Sequence, residues 1–463
     1  MWRMMELQDK QTAETVEKPK LFTMIWPIVL ELIITGLIAN VNQAILNDFS
    51  SDAIAVTSSG AQIIVVILNI YCIISVGTTI LLAPLVGAKR YEDCNRLICA
   101  AVTVNFLLSI VISLVGILFV PTMIKLLNIP VELYDMARQY MVVSIGFSFL
   151  QSIIITLNAV FRSFGEMKKV LVTMISISLL GMIFTKLISV GIPKSAQTMI
   201  HYSLAGIVAQ LFGVAMFLVM LMRQKIFRFH YSFRGLYGTI RKMLPRIFHY
   251  GIPAGFEGLI YLTSQTIVVS FIGILGTNAL LAKGFAGNVS YYMSLTTSST
   301  AAGVSIVVGQ LIGAGKINEV KRVSKKVIGL DILITATVCL ISLFLGPRIL
   351  RIYTEDPSIL TTAMQVLFVS VVLELMRCVT GNLIAILKAT GDVSFPFTIV
   401  IIGSIINIAI SYYMGITLQI GLVGIWLGYI ADVFFRGVAC SIKFHKNMKE
   451  YKGRVNMDFM DSM

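Results

Sequence analysis

The sequence predicts an all-α integral membrane protein. It is expected to have twelve transmembrane helices in two six-helix lobes, related by a pseudo-two-fold axis along the membrane normal. Of the 463 residues, 57% are hydrophobic and only 13% are charged, about half the charged fraction of a soluble globular domain. The apolar residues fall into twelve long stretches, and much of the first half recurs in the second half at one offset. These observations exclude an ordinary soluble protein.

Twelve stretches are long and apolar enough to cross a membrane, which takes about 20 mostly apolar residues. Their approximate positions are 21–46, 53–86, 98–120, 139–161, 170–191, 198–222, 247–275, 279–312, 327–346, 361–387, 395–415 and 420–442. No soluble domain fits between them. The predicted parts are therefore an N-terminal tail (1–20), an N-lobe (21–222), a linker (223–246), a C-lobe (247–442) and a C-terminal tail (443–463).

Lysine and arginine are concentrated on one side of the predicted spans. The tails, the even-numbered loops and the linker carry 28 of the 37 basic residues, whereas the opposite loops carry six and the spans three. Because cytoplasmic loops are enriched in Lys and Arg, we expect both termini and the linker to face the cytoplasm, in a multi-pass protein of the plasma membrane. The net charge of +14 is then a topology signal, so we expect no nucleic-acid partner.

An internal repeat relates the two lobes. LVGAKRYEDCNR (85–96) aligns with LIGAGKINEVKR (311–322), an offset of 226 residues. At the same offset FRSFGE (161–166) aligns with LKATGD (387–392). Near the sixth span the offset falls to 218. Because each half has an even number of spans, both halves lie the same way up, as in transporters whose substrate site lies between parallel repeats near mid-membrane.

The stretch VVGQLIGAGK (307–316) has some features of a phosphate-binding loop. A Walker loop follows the pattern G-x-x-x-x-G-K-[ST]. Here five residues separate Gly309 from Gly315, and Lys316 is followed by Ile317. We therefore expect no nucleotide partner. A glycine that allows a left-handed helix cap, followed by a basic cytoplasmic loop, accounts for the stretch better.

Taken in order, these motifs resemble the multidrug and toxic compound extrusion (MATE) family. The resemblance covers about 20–445 and is carried by the glycine–alanine–basic loops after the second and eighth spans, NAVFRSFGE (158–166), LKATGDVSFP (387–396) and LVGIWLGYIAD (422–432). It implies a central cavity that opens alternately to the two membrane faces. It also implies export of small organic, often cationic, compounds in exchange for H⁺ or Na⁺. We expect a monomer in contact with membrane lipid, with no cofactor besides the coupling ion.

Carboxylates inside the predicted spans are candidates for ion coupling, because ionisable residues are costly in a membrane. Glu31 and Glu257 are equivalent in the repeat, and each lies four residues after a proline. Along the chain each is about 14–16 Å from the nearest basic flank, Lys20 or Arg246, which is about half a bilayer. A carboxylate there must face a wet cavity, find a partner or take up a proton. The alternative is a structural tie between helices.

Polar residues near these carboxylates extend the candidate site. Thr35 and Asn42 lie within about 40° of Glu31 on a helical face, and Tyr261 and Ser264 accompany the second carboxylate. We expect ion coupling at Glu31, Glu257, Asn42 and Tyr261, and a substrate cavity lined by Thr35, Ser264, Glu374, Arg377 and Tyr292. Glu374 and Arg377, three residues apart, can instead form a structural pair. Tyr292 can serve in ordinary packing as well as hold an organic cation.

The chain departs from the family at the usual coupling carboxylates. Many members have an aspartate in the first span where this chain has Asn42, and some have a glutamate in the seventh where it has Tyr261. These departures leave open the substrate and the choice between H⁺ and Na⁺. A flippase for lipid-linked precursors is the first alternative, because Lys186, Arg377 and Arg436 place cations in spans. The four dispersed histidines supply no catalytic cluster, so we expect neither an enzyme nor, without a sensor domain, a receptor.

Overall fold

The computed structural model describes residues 21–193, 196–224 and 236–450. The predicted N-terminal tail, residues 225–235 of the predicted linker and residues 451–463 lie outside the described residues. Regular structure in the described part of the chain is helical. The helices are α1 (Leu21–Phe49), α2 (Ser51–Gly87), α3 (Tyr91–Leu126), α4 (Tyr134–Gly146), α5 (Ser148–Ser163), α6 (Met167–Gly191), α7 (Met199–Met222), α8 (Leu236–Ile274), α9 (Thr277–Gly313), α10 (Ile317–Tyr353), α11 (Pro357–Ala389), α12 (Ser394–Tyr412) and α13 (Leu422–Glu450).

Among the described residues, eleven helices are long and apolar enough to cross a membrane, and α4 with α5 forms a twelfth span bent by 44°. The prediction of twelve spans is therefore confirmed. Helix α8 begins at Leu236, inside the segment 223–246 that the sequence suggested as a linker. The helix is longer than the apolar stretch, because it starts eleven residues earlier and includes basic residues such as Arg241 and Arg246.

Hydroxyl side chains within the spans bond to their own helices. Thr78 donates to the carbonyl of Ile74 at 2.7 Å, and Ser370 donates to the carbonyl of Val366 at 2.8 Å. A membrane core offers no water to such groups, so the carbonyl one turn back satisfies them. A serine or threonine in a span is therefore not by itself a sign of a binding site.

Helices α2 and α9 cross at a two-fold contact. A side-chain carbon at Gly87 would overlap the backbone oxygen of Gln310, and one at Gly313 would overlap the backbone oxygen of Pro84. Gly87 and Gly313 are equivalent at the 226-residue offset, and so are Pro84 and Gln310. Each half of the contact therefore repeats the other, and the pseudo-two-fold axis passes through this crossing.

A second pair of crossings is less symmetric. A side-chain carbon at Gly77 of α2 would overlap the backbone of Ile247 in α8. At the equivalent Gly303 of α9, a side-chain carbon would instead lie 3.1 Å from the side chain of Ile25 in α1. The backbones of α2 and α8 are thus in direct contact, whereas a side chain separates α9 from α1.

The glycine stretch at the end of α9 forms the helix cap that the sequence predicted. Gly315 has a φ of +71°. Its N–H donates to the carbonyl of Ile312 at 3.0 Å, and the N–H of Lys316 donates to the carbonyl of Leu311 at 2.9 Å. Helices α2, α5, α9 and α11 all end on this side of the bundle, at loops 88–90, 164–166, 314–316 and 390–393, which together we call the basic face.

Candidate functional site

Two equivalent ion pairs connect the first and fourth spans of each lobe. In the N-lobe, Arg162 of α5 donates to both carboxylate oxygens of Glu31 in α1, at 2.9 and 3.0 Å. In the C-lobe, Lys388 of α11 lies 2.5 Å from the carboxylate of Glu257 in α8. Both acids and both bases correspond at the 226-residue offset. The repeat therefore preserved the whole pair, as a charge buried in protein requires a partner.

These pairs supply the partner that the sequence analysis gave as one way to accommodate a carboxylate inside a span. The sequence gave Lys20 and Arg246 as the basic residues nearest to Glu31 and Glu257 along the chain. The structure supplies a nearer base, because Arg162 and Lys388 lie in the last turns of α5 and α11, beside the basic face. Sequence reasoning missed both partners. The alignment of FRSFGE with LKATGD places Arg162 at the position of Lys388, and this shared basic residue was the signal that could have indicated both partners.

A cavity of about 530 Å³ lies inside the C-lobe, between α8, α9, α11 and α13. Along α11 it extends from Arg377 to Lys388, which is about 16 Å at 1.5 Å per residue. Its polar and charged lining is Glu257, Tyr261, Ser294, Thr297, Ser298, Ser305, Arg377, Thr380, Lys388 and Arg436. Among the described residues, the cavity lining therefore includes one carboxylate and three basic groups.

The other two basic groups also have acidic partners. Arg377 donates to Glu374 at 2.6 Å, which confirms the pair that their spacing allowed. Arg436 forms an ion pair with Asp432 one turn before it in α13. The side chain of Arg377 is 28% exposed and that of Glu374 only 2%, and the corresponding values are 12% for Arg436 and 5% for Asp432. The bases thus reach the cavity while their carboxylates lie behind them.

Glycine on a neighbouring helix makes room for one of these pairs. A side-chain carbon at Gly403 of α12 would overlap the carboxylate of Asp432 and lie 3.1 Å from the stem of Arg436. Helix α12 can therefore approach the pair closely only because residue 403 has no side chain. The close packing of α12 against α13 holds the Asp432–Arg436 pair in place at the cavity wall.

A fully buried aspartate lies behind the cavity. Asn382 of α11 donates to Asp331 of α10 at 2.6 Å, and Thr335 donates to the same carboxylate at 3.3 Å. In the N-lobe, Asn105 and Thr156 occupy the positions of Asp331 and Asn382, and Asn105 donates to the Thr156 hydroxyl at 2.6 Å. The N-lobe network is neutral, whereas its C-lobe counterpart carries a carboxyl group.

The candidate residues of the N-lobe remain outside this cavity. Thr35 donates to the carbonyl of Glu31 at 2.7 Å, so its hydroxyl is used within α1. Asn42 is half-buried, and its side-chain oxygen has no hydrogen-bond partner among the described residues. Neither residue lies among the lining of the C-lobe cavity.

The candidate residues of the C-lobe divide into two groups. Tyr261 and Arg377 line the cavity with Glu257, and Glu374 lies just behind. Ser264 instead points into the lobe, where its buried hydroxyl accepts from Asn407 of α12 at 3.4 Å. Tyr292 packs edge-on against Tyr291, with the ring centres 5.6 Å apart, and is not among the lining residues.

A second groove, of about 770 Å³, lies on the N-lobe at the basic face. Its apolar wall comes from α7 and includes Phe212 and Met216. Its polar end holds Lys169, which donates to Glu166 at 2.7 Å and to Gln224 at 3.0 Å. These polar groups satisfy one another, and both the acidic and the amide partner of Lys169 line the groove with it.

One family model matches both halves of the chain. A family model described as MatE matches residues 27–187 and again residues 253–413. The two matches start 226 residues apart, the offset of the internal repeat. The chain is 25% identical over 437 residues to the uncharacterized transporter YisQ of Bacillus subtilis, covering 94% of this chain and 95% of that protein. It is 21% identical over 434 residues to a probable multidrug resistance protein NorM of Thermotoga maritima, covering 92% of each.

Solved structures show the same fold. An outward-facing multidrug resistance MATE family transporter of the MOP superfamily has a TM-score of 0.84 at 14% identity, covering 94% of this chain and 97% of that one. A MOP superfamily transporter from Pyrococcus furiosus has a TM-score of 0.83 at 14% identity, again covering 94% and 97%.

Proposed function

This chain belongs to the MATE family of multidrug efflux transporters, whose model matches both of its halves, and we propose that it exports organic compounds in exchange for H⁺ or Na⁺. A secondary transporter built from two repeats exposes its site alternately to the two sides by rocking one repeat against the other. The C-lobe cavity, with a carboxylate on its wall, is the observation that carries the proposal.

Glu257 is the coupling group in this proposal. Its side chain is 18% exposed, against 5% for Glu31. A coupling ion has to reach a carboxylate and later leave it, which the exposed group allows. Binding of H⁺ or Na⁺ would reduce the attraction between Glu257 and Lys388, and Tyr261 lies one turn further along α8 on the same cavity wall. Glu31, held by two bonds from Arg162, is then a structural tie.

The lining does not favour purely cationic compounds, which the resemblance implied. Three of its four charged groups are basic, and the one carboxylate is already paired with Lys388. The proposal therefore retains export and ion coupling, but it does not require the exported compound to be cationic.

Orientation and assembly follow from the same features. We propose a plasma-membrane location with the basic face and both termini in the cytoplasm, because 28 of the 37 Lys and Arg residues belong to that side in the predicted topology. All residues that line the cavity belong to the C-lobe of one chain, which supports a monomer surrounded by lipid as the proposed working unit.

Purified protein in liposomes tests this proposal. We expect an imposed H⁺ or Na⁺ gradient to accelerate movement of a loaded organic compound, and Glu257→Gln to reduce that gradient-dependent flux by about tenfold or more. Glu31→Gln, at the equivalent position of the repeat, is the matched control. The folded part of this variant should show the same gradient-dependent flux as the wild type. If neither gradient moves any anionic, cationic or zwitterionic compound, export is excluded.

Flipping of a lipid-linked precursor is the second candidate, because Arg377, Lys388 and Arg436 can contact a phosphate headgroup. Liposomes containing a fluorescent phospholipid analogue distinguish it from export. Protein-dependent loss of protection from an external quencher, without any flux of soluble compounds, would favour the flippase.

A further inference from the structure

We propose that Arg377 and Arg436 form a binding site for an anionic group, such as a carboxylate, sulfonate or phosphate, on the transported compound. This inference rests on the proposed function, since it names the class of compound that the exporter accepts. It concerns the part of the cavity formed by α11 and α13, away from the Glu257–Lys388 pair.

The orientation of the ion pairs decides which charge a ligand meets. Glu374 and Asp432 are buried behind their arginines and do not line the cavity, whereas Arg377 and Arg436 do. A ligand in this part of the cavity therefore contacts guanidinium groups before any carboxylate. Charge-assisted hydrogen bonds of this kind are about twice as strong as neutral ones.

Both guanidinium groups retain donors for such a ligand. A guanidinium has five N–H donors in a planar fork. Arg377 uses Nη1 for Glu374. Arg436 uses Nη2 for Asp432, which leaves its Nη1 outside that bond. Its Nε has no hydrogen-bond partner among the described residues but is itself a buried atom. Tyr261 adds a phenol hydroxyl to the same cavity. The fork geometry matches the paired oxygens of a carboxylate or phosphate.

Whether the cavity favours an anionic or a cationic ligand depends on its direct contacts. Over longer distances the three paired carboxylates offset the three bases, and Asp331 adds a fourth carboxyl group behind the cavity, so the groups that a ligand touches decide which charge is favoured. In contact, an anionic group meets guanidinium N–H donors. Among the described lining residues Glu257 is the one carboxylate that a cationic group can meet, and the cation must compete there with Lys388 at 2.5 Å. The volume of about 530 Å³ suits a drug-sized organic acid, since ligand pockets span about 300–1,000 Å³.

Equilibrium binding to the purified full-length protein tests the inference. The probes are a fluorescent naphthalene sulfonate and a naphthalene of the same size that carries a trimethylammonium group. We expect the wild-type protein to bind the sulfonate at least about tenfold more tightly than the ammonium compound. Competition with short-chain phosphatidylglycerol distinguishes a soluble organic anion from a lipid headgroup. Strong displacement by the lipid would assign the anion site to a headgroup.

Two variants change the site in opposite directions. Glu374→Gln removes the competing carboxylate from Arg377 and should tighten sulfonate binding by about fivefold. The double variant Glu374→Gln with Arg377→Gln removes both charges without leaving one buried alone, and should weaken binding by about tenfold. The double variant Asp392→Asn with Lys443→Gln removes another ion pair of the same lobe, 3.2 Å long and outside the cavity lining. It should leave binding within about twofold of wild type.

The outcomes separate this inference from the proposed function. Equal or tighter binding of the ammonium probe, or sulfonate binding that neither Glu374→Gln nor its double variant with Arg377→Gln changes, would overturn the anion site even if ion-driven export is found. The expected pattern of sulfonate binding in a protein that shows no gradient-driven flux would instead retain the anion site and reject the proposed export.

Discussion

Asn105 in the N-lobe and Asp331 in the C-lobe occupy equivalent positions in the third span of each lobe. Each takes part in a 2.6 Å hydrogen bond to the fourth span, but donor and acceptor are exchanged. Asn105 donates to Thr156, whereas Asp331 accepts from Asn382. The repeat has therefore kept the shape of this contact while changing its charge.

The same contrast recurs along the fourth span. Glu374 and Arg377 of the C-lobe correspond to Ser148 and Gln151 of the N-lobe. Ser148 hydrogen-bonds with the Tyr71 hydroxyl at 2.7 Å, at the point where the N-lobe span is bent by 44°. The C-lobe span α11 is one continuous helix. In this comparison the charged cavity lies in the C-lobe. The described part of the N-lobe is more neutral along its fourth span and keeps the buried Glu31–Arg162 pair.

The largest expected effect comes from the contact that the two lobes share equally. Gly87→Val and Gly313→Val should each abolish most transport, by about tenfold or more, because the new side chain overlaps backbone that cannot move aside. Since the contact is two-fold, the two variants should have similar effects. Flux in proteoliposomes, measured per folded protein, checks this prediction.

Gly206→Val of α7 is the matched control, because a side-chain carbon there would meet nothing within 4 Å. It should retain flux close to that of the wild type. A strong defect in only one of Gly87→Val and Gly313→Val would show that the crossing is not functionally symmetric.

A smaller effect should separate the lobes at the fourth span. Arg377→Leu leaves the carboxylate of Glu374 buried without its 2.6 Å partner. Breaking a buried pair in this way costs about 3 kcal/mol of unfolding free energy. Gln151→Leu, at the equivalent position of the N-lobe, removes no charge and should cost about 0.5 kcal/mol or less. Unfolding in mixed detergent micelles measures both, and equal losses would contradict the assignment of charge to one lobe.

The sequence was sufficient for the fold because a membrane constrains it strongly. Each span must be apolar over its length and satisfy its own backbone, so twelve stretches and one offset specify two lobes. The Glu374–Arg377 pair was also predictable, because it depends only on spacing within one helix.

The site was less predictable because its contacts join helices far apart in the chain. Arg162 and Lys388 lie 131 residues after Glu31 and Glu257, in segments that read as loops. Helical periodicity places Ser264 on the face of Glu257, yet it does not show that α12 covers that serine through Asn407. Which side of a pair reaches a cavity depends on the packing of four helices, and a sequence pattern does not contain that information.

The smallest expected difference concerns the two helix caps at the basic face. Lys89 has a φ of +59°, whereas its repeat counterpart Gly315 has a φ of +71°. A left-handed backbone costs a residue with a side chain about 1 kcal/mol, and glycine avoids most of that cost. Lys89→Gly should therefore be more stable than Lys89→Ala by about 0.5–1 kcal/mol, a comparison that cancels loss of the lysine side chain. Gly315→Ala should lower the free energy of unfolding by about 1 kcal/mol. If Lys89→Gly is no more stable than Lys89→Ala in the same unfolding assay, the two caps are not equivalent, and the symmetry of the lobes ends before the loop that follows α2.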